Sequence, residues 1–523
     1  MMSGSPTTVG DLATGISARS SHFRATFVSN VMASLLRVAA VSLVALILPA
    51  YLIHRLPVQT YAAWVLIIQM GAYVSYLDLG IQVAVSKFVA EYDARNDHLG
   101  AGLHASAGFA LMAIAGTVGL GLSLFLAWRV PTLFAAMPAD LFHDVRISVV
   151  LVGSSLSFGL VCAVYSAVFL GLQRYWIPTT ITIINRIAFA AVVIATVALR
   201  GNLAAMGIAV AGVNVFSGLA QLFAWRRKAA HIPVSLLLVQ SRILKSVAGF
   251  CSLQSIWTMA MLCVSGLDLT IVGHYDYLQT AYYSIATLPT SFTLMILSAM
   301  LNPLLPASSA MSTQRSPAQM GALLVKTTRY ATLVLLLTAL PLIVCGLPIL
   351  RLWIGSAYAL HTIGYLRMLV FANVIRNLCA PYATMIVATN RQGAAVVTAL
   401  SEAIVNLGSS LYLASRYGAI GVALGTVFGS FVSVSLHFAI TMHFTSQTLA
   451  ISRRTLFLKG LVRPSIVVIP STLFFPLWLR SSRIKMSAGM TMVWVISTVI
   501  LGWYFGLDRE ERSKIVHVTK GNA

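Results

Sequence analysis

The chain has 523 residues, of which 58% are hydrophobic and only 9% charged, with a mean hydropathy of +0.87. No soluble domain of ordinary size fits between its apolar stretches. The formal charge of +22, which in a soluble protein would suggest nucleic acid, falls mostly in short loops between those stretches, where Lys and Arg set membrane orientation. A nucleic-acid partner is therefore excluded, and the chain reads as an all-α polytopic membrane protein whose surroundings are the lipid bilayer.

In chain order, residues 1–24 are polar and rich in Ser, Thr and Gly, the composition of a disordered tail. The first apolar stretch is too long for the core of a cleaved signal, contains Asn30 and Arg37, and leads into further spans, so it reads as an uncleaved first helix. About 14 stretches are long enough to cross a bilayer: approximately 26–50, 60–83, 104–127, 147–171, 178–199, 203–225, 247–272, 280–303, 330–350, 363–388, 394–414, 419–443, 462–479 and 487–506. The pairs 178–199/203–225 and 394–414/419–443 have the shortest connections. With both termini in the cytoplasm, 22 of the 35 Lys and Arg lie inside (counting Arg463, at the edge of its span, with the loop before it), nine outside and four within spans, a positive-inside bias. The loop bearing Arg480, Arg483 and Lys485 goes against it.

Two matches point to an internal repeat. Val58-Gln59-Thr60-Tyr61-Ala62-Ala63-Trp64 opens helix 2, and Leu278-Gln279-Thr280-Ala281-Tyr282-Tyr283-Ser284 opens helix 8. Ala205-Met206-Gly207-Ile208-Ala209 in helix 6 matches Ala419-Ile420-Gly421-Val422-Ala423 in helix 12. Similar offsets across six helices imply a duplicated six-helix unit. Because six is even, the two lobes share a topology and are related by a pseudo-two-fold axis along the membrane normal, with the binding site between them. The expected organisation is a cytoplasmic tail (1–24), an N-terminal six-helix lobe (25–228), a cytoplasmic linker (229–245), a C-terminal six-helix lobe (246–445), a linker with two further helices (446–507) and a cytoplasmic tail (508–523). Gly421, Gly425 and Gly429, every fourth residue, make a stripe that admits a neighbouring helix closely. Pro289 and Pro381 are expected to kink their helices.

The sequence shows no catalytic signature: there is no phosphate-cradling GxxxxGK[ST] and no HExxH, so the chain reads as a non-enzyme without a resident cofactor. The eleven histidines are scattered singly and form no metal-ligand set by spacing. All five cysteines fall within apolar spans and read as packed small hydrophobes.

Charges within spans are rare and costly, about 2.5–3.5 kcal/mol each on insertion scales, and mark pathways. Here there are four arginines, Arg37, Arg186, Arg367 and Arg376, against Asp268 and Glu402, with Asp78 near a span's end. A cationic interior suits an anionic cargo bearing phosphate or carboxylate. The charges share faces with other polar groups at helical spacing: Asn30, Ser34 and Arg37; Thr179, Thr182 and Arg186; Gln254, Met261, Ser265 and Asp268; Asn373, Arg376 and Asn377; Thr398, Glu402, Asn406 and Ser409. Substrate contact is assigned to Arg37, Arg186, Arg376, Asn30, Asn373 and Arg367, and coupling or gating to Asp268, Glu402 and Asp78. Pairing among these charges, as in Arg37–Asp268 or Arg186–Glu402, and snorkelling of Arg367 are the alternatives. The acids are candidate carriers of a coupling H+ or Na+.

The stretch Tyr76-Leu77-Asp78-Leu79-Gly80-Ile81, followed by Val85-Ser86-Lys87-Phe88-Val89-Ala90-Glu91-Tyr92, resembles the helix 2 signature of the polysaccharide transporter family. These are the O-antigen and exopolysaccharide repeat-unit flippases of the multidrug/oligosaccharidyl-lipid/polysaccharide exporter (MOP) superfamily. Gly171-Leu172-Gln173-Arg174-Tyr175, Leu267-Asp268-Leu269-Thr270-Ile271-Val272-Gly273 and Leu352-Trp353-Ile354-Gly355 fit in order, over roughly residues 25–445. The resemblance implies two six-helix lobes with two further helices, and alternating access in the bacterial inner membrane. The implied cargo is an undecaprenyl pyrophosphate-linked oligosaccharide, and the implied partners are the polymerase and chain-length proteins of the same pathway. Arginine binds phosphate oxygens in a fork geometry and stays charged when buried. Asp78 matches the motif, with a gate or helix-end role. The alternatives are a lipid II flippase and a multidrug cation antiporter of the same superfamily. A membrane glycan ligase or polymerase is disfavoured, because the largest outside loop is about Trp128 to Arg146.

Overall fold

A computed structural model describes residues 36–37, 40–302, 304, 308, 317–389, 391, 393–445 and 449–473, with scattered positions between 496 and 512. Inside a bilayer the backbone has no water to bond, so a spanning segment must satisfy its own N–H and C=O groups. Every regular element among the described residues is accordingly a helix. Ten of these helices are long and apolar enough to cross a membrane, or up to eleven if a bent pair is counted as one span. The expected spans 26–50, 462–479 and 487–506 lie partly or wholly outside the described residues, as do Asn30, Ser34, the N-terminal tail, most of the C-terminal tail and the Arg480–Lys485 loop.

The chain divides into two compact units. The first takes Met1–Arg55, Ile67–Thr132 and Pro138–Ser255. It contains α1 (Ala40–Ile53), the end of α2 (Val58–Tyr76), α3 (Ile81–Asp93), nearly all of α4 (His98–Leu133), α5 (Phe142–Gly171), α6 (Trp176–Ala198), α7 (Leu203–Lys228) and most of α8 (Ser241–Met261). Small residues of α4 (Ala101, Ala105, Ala107) and β-branched residues of α3 and α5 (Val85, Val89, Val164, Val168) form its core. The close pair α6 and α7 resolves into two separate helices, and Asn202 caps the second by accepting the Ala205 N–H at 3.0 Å.

The apolar stretch expected at 60–83 is not one straight helix. It breaks at Leu77–Gly80, and α3 leaves α2 at 41°. Leu79 (φ +48°) and Gly80 (φ +82°) are both left-handed, a conformation that costs a residue with a Cβ about 1–2 kcal/mol. A Cβ on Gly80 would also meet Gln254 Cγ at 2.4 Å. Asp78 accepts the Gln82 N–H at 3.2 Å, so its carboxylate covers an orphan donor of α3.

The second unit takes Leu56–Leu66, Leu133–Met137 and Ile256–Ala523. After α8 the backbone makes a π-turn at Leu262–Gly266 and continues as α9 (Asp268–Tyr275), α10 (Gln279–Leu301), α11 (Pro317–Ile354), α12 (Ser356–Asn377), α13 (Ala380–Ala388), α14 (Gly393–Tyr417), α15 (Ala419–Leu436) and α16 (Arg463–Leu473). Here α12 packs on α10, α11 and α15, and α14 packs along α15. Glycine makes that last approach possible: a Cβ on Gly421, Gly425 or Gly429 would lie 2.2–2.7 Å from Leu413, Ser410 or Asn406. Helix α10 runs through Pro289. Pro381 stands at an interruption of its span: α12 ends at Asn377 and α13 begins at Ala380, with Pro381 in the first turn, where its missing N–H has no partner to lose.

Candidate functional site

Three intramembrane charges of the second unit converge from three helices, α9, α12 and α14. Asp268 is the first residue of α9 and is 6% exposed. Its Oδ2 accepts from Tyr283 of α10 and Thr426 of α15, each at a long 3.4 Å. Its Oδ1 is buried with no partner among the described residues. On α12, Arg376 donates from Nε to Oε1 of Glu402 on α14 at 2.5 Å, with side-chain exposures of 15% and 5%. Arg376 Nη2 is buried and without a partner among the described residues, and the guanidinium charge acts on Asp268 as well. Two acids and one arginine thus share one polar cluster, with formal charge −1 when all are ionised.

Sequence periodicity places these groups well on α14 and poorly on α8–α9. Thr398, Glu402 and Asn406 are all buried along one face of α14, as expected. Ser410, rather than Ser409, completes the row, reaching Asn406 Oδ1 and the Val422 carbonyl at 3.5 and 3.4 Å. Thr398 bonds Thr441 at 2.8 Å. The expected face Gln254, Met261, Ser265, Asp268 does not hold: Gln254 and Ser265 are exposed and Asp268 is buried. The π-turn between them adds a residue to the helical register, so the count by fours fails across it.

The remaining assignments separate. Asn373 and Asn377 flank Arg376, but their amides donate to helix carbonyls, Leu369 at 3.0 Å and Asn373 at 2.8 Å. Arg367 is exposed and donates to the Ile343 carbonyl of α11 at 2.9 Å. In the first unit, Arg37 and Arg186 are both exposed on helices, and Thr182 turns back onto the Pro178 carbonyl. Asp78 serves the α2–α3 break. Sequence reasoning missed Tyr283 and Thr426 as partners of Asp268. Tyr283 stands in the repeated segment that opens helix 8, and Thr426 follows Gly425 in the glycine stripe; both were visible for their packing pattern, not their hydroxyls.

No family model matches the sequence, and no curated protein matches it either. Solved structures do match the fold. The lipid II flippase MurJ in an inward closed conformation superposes with a TM-score of 0.72 at 12% identity, covering 91% of this chain and 98% of that one. An inward-facing multidrug resistance MATE family transporter of the MOP superfamily gives 0.64 at 14%, covering 79% and 96%. A MATE structure in a straight conformation gives 0.57 at 14%, covering 82% and 97%. The fold is therefore the one shared by these MurJ and MATE structures. The chain is a multi-pass membrane protein whose structural neighbours are transporters and flippases rather than enzymes.

Proposed function

We propose that the chain is a flippase that turns an undecaprenyl pyrophosphate-linked oligosaccharide across the bacterial inner membrane for O-antigen, exopolysaccharide or capsule synthesis. It works by alternating access of two six-helix lobes followed by two C-terminal helices, with both termini cytoplasmic. The observation that carries this reading is Arg376, an intramembrane guanidinium on a MOP-type fold with one nitrogen on Glu402 and another without a partner among the described residues. A forked cation of that kind matches pyrophosphate oxygens. Arg37 and Arg186 supply further positive charge, and Asp268 and Glu402 take up a coupling H+ or Na+. The helix 2 motif and a neighbour that flips a lipid-linked cargo agree with it.

The test is lipid analysis of a deletion strain. Accumulation of one undecaprenyl pyrophosphate-linked repeat unit, shielded from an outside glycan-binding probe, is expected. Retention of cationic dyes with no such intermediate would replace the flippase by a multidrug antiporter. The likeness to MurJ favours one second reading, lipid II as cargo. Depletion separates the two: lysis points to lipid II, loss of a single surface glycan to the repeat unit.

A further inference from the structure

Three side chains that the transport cluster does not use converge in the first unit. Asp93 ends α3, His98 begins α4, and His231 lies in the connection after α7. A carboxylate oxygen and one ring nitrogen from each histidine all lie within 4.8 Å of one another. His98 Nδ1 is 3.7 Å from Asp93 Oδ1, and the two imidazoles meet edge to face at 5.1 Å and 77° rather than stacking.

The three backbones are fixed although their side chains are not buried. Between Asp93 and His98 the chain makes a tight turn, with Asn96 at φ +55° and Asp97 Oδ1 accepting the Gly100 N–H at 2.7 Å. The segment carrying His231 is tied down just beyond that residue. Trp225 Nε1 donates to the Ile232 carbonyl at 3.1 Å, and the Ser235 N–H donates to Ser106 of α4 at 3.0 Å. Pro233 lies so close to α4 that a Cβ on Gly102 would be 2.6 Å from its ring. Three ligands are thus delivered by three rigid pieces of backbone, with half-exposed side chains free to turn.

Asp93 is also at the negative end of the α3 dipole, where a carboxylate is disfavoured unless a cation joins it. The neighbouring Arg95 is engaged by Glu91 at 2.8 Å. Two imidazoles and one carboxylate are the donor set of a borderline transition cation such as Zn2+, with water completing a tetrahedron. Bonds of about 2.0–2.1 Å bring tetrahedral ligands to roughly 3.3 Å apart, a contraction that side-chain rotation supplies.

We propose that Asp93, His98 and His231 bind a zinc-class divalent cation, which clips the connection after α7 to the start of α4. The test uses the full chain in detergent, stripped with a chelator and titrated with Co2+ as a visible reporter. Expected is tetrahedral Co2+ absorption that saturates at one equivalent and is displaced by Zn2+. His98→Ala and His231→Ala should each weaken binding beyond the roughly 10–100-fold seen when a supporting residue is lost, and Asp93→Asn should weaken it too. The metal-free variants should melt with the metal-free parent, because the side chains are exposed, while Zn2+ should raise the melting temperature of the parent alone. Zn2+ should also slow amide exchange over residues 231–235. Absence of saturable Co2+ absorption, or its survival at full strength in both histidine variants, would overturn the site.

Discussion

A buried arginine bonded to a glutamate can hold helices together or hold cargo, and the two roles respond oppositely to removing both charges. Arg376→Gln alone leaves Glu402, 4% exposed, without its cation, a loss of about 3–5 kcal/mol for a buried pair. Arg376→Gln with Glu402→Gln removes both charges and recovers much of that stability. If the pair only locks α12 to α14, the double variant transports normally. On the proposed function, the expected outcome is a double variant that melts close to the parent yet makes no surface polysaccharide, because the guanidinium proposed to meet pyrophosphate is gone. Melting temperature and surface glycan, measured on the parent and these two variants, decide it. Arg37→Gln, an exposed position remote in sequence from the pair, should lower surface glycan without altering melting.

At the scale of elements, two glycines and a third as control test how the helices are set. Gly80→Ala meets both a left-handed backbone and the Gln254 side chain at 2.4 Å, so a loss of at least about 1–2 kcal/mol is expected, read as a lower melting temperature. Gly425→Ala places a Cβ 2.2 Å from Ser410 Oγ and 2.6 Å from its backbone N, which a side-chain rotation cannot relieve, so folded protein should be lost. Gly408→Ala, on the neighbouring helix α14 but with open space around it, should be tolerated or gain about 0.5–1 kcal/mol. Equal behaviour of Gly425→Ala and Gly408→Ala would refute the close-packing account. The same elements show what was legible in the sequence. Hydropathy over some twenty residues finds lengths, so α6 and α7 emerged as separate spans, and a four-residue period found the buried row of α14. It is blind to a two-residue reversal of φ or one extra residue in a helix. The break at Leu79–Gly80 was therefore visible only as a motif, and the π-turn before Asp268 misplaced a whole polar face. Tyr382 at the start of α13, hydrogen-bonded to Thr445, had no periodic signature at all.

For the whole molecule, charge links topology to energy supply. The loop bias of 22 basic residues to nine predicts a fluorescent C-terminal reporter fusion and an inactive C-terminal alkaline phosphatase fusion; the reverse would invert the molecule. Within the second unit, Asp268, Glu402 and Arg376 leave one negative charge uncompensated when ionised, in a setting where an isolated charge costs several kcal/mol. One monovalent cation would neutralise the cluster, and the proposed coupling role falls to Asp268, since Glu402 is engaged by Arg376 and Asp268 Oδ1 has no partner among the described residues. Flipping of a labelled lipid-linked oligosaccharide in proteoliposomes should therefore accelerate under an imposed proton or sodium gradient. Asp268→Asn, neutral at every pH, should flip at one rate with or without that gradient, while Asn373→Ala should keep the parent's gradient dependence. A parent indifferent to both gradients would detach the cluster from energy coupling and leave downstream consumption of the flipped product as the driving force.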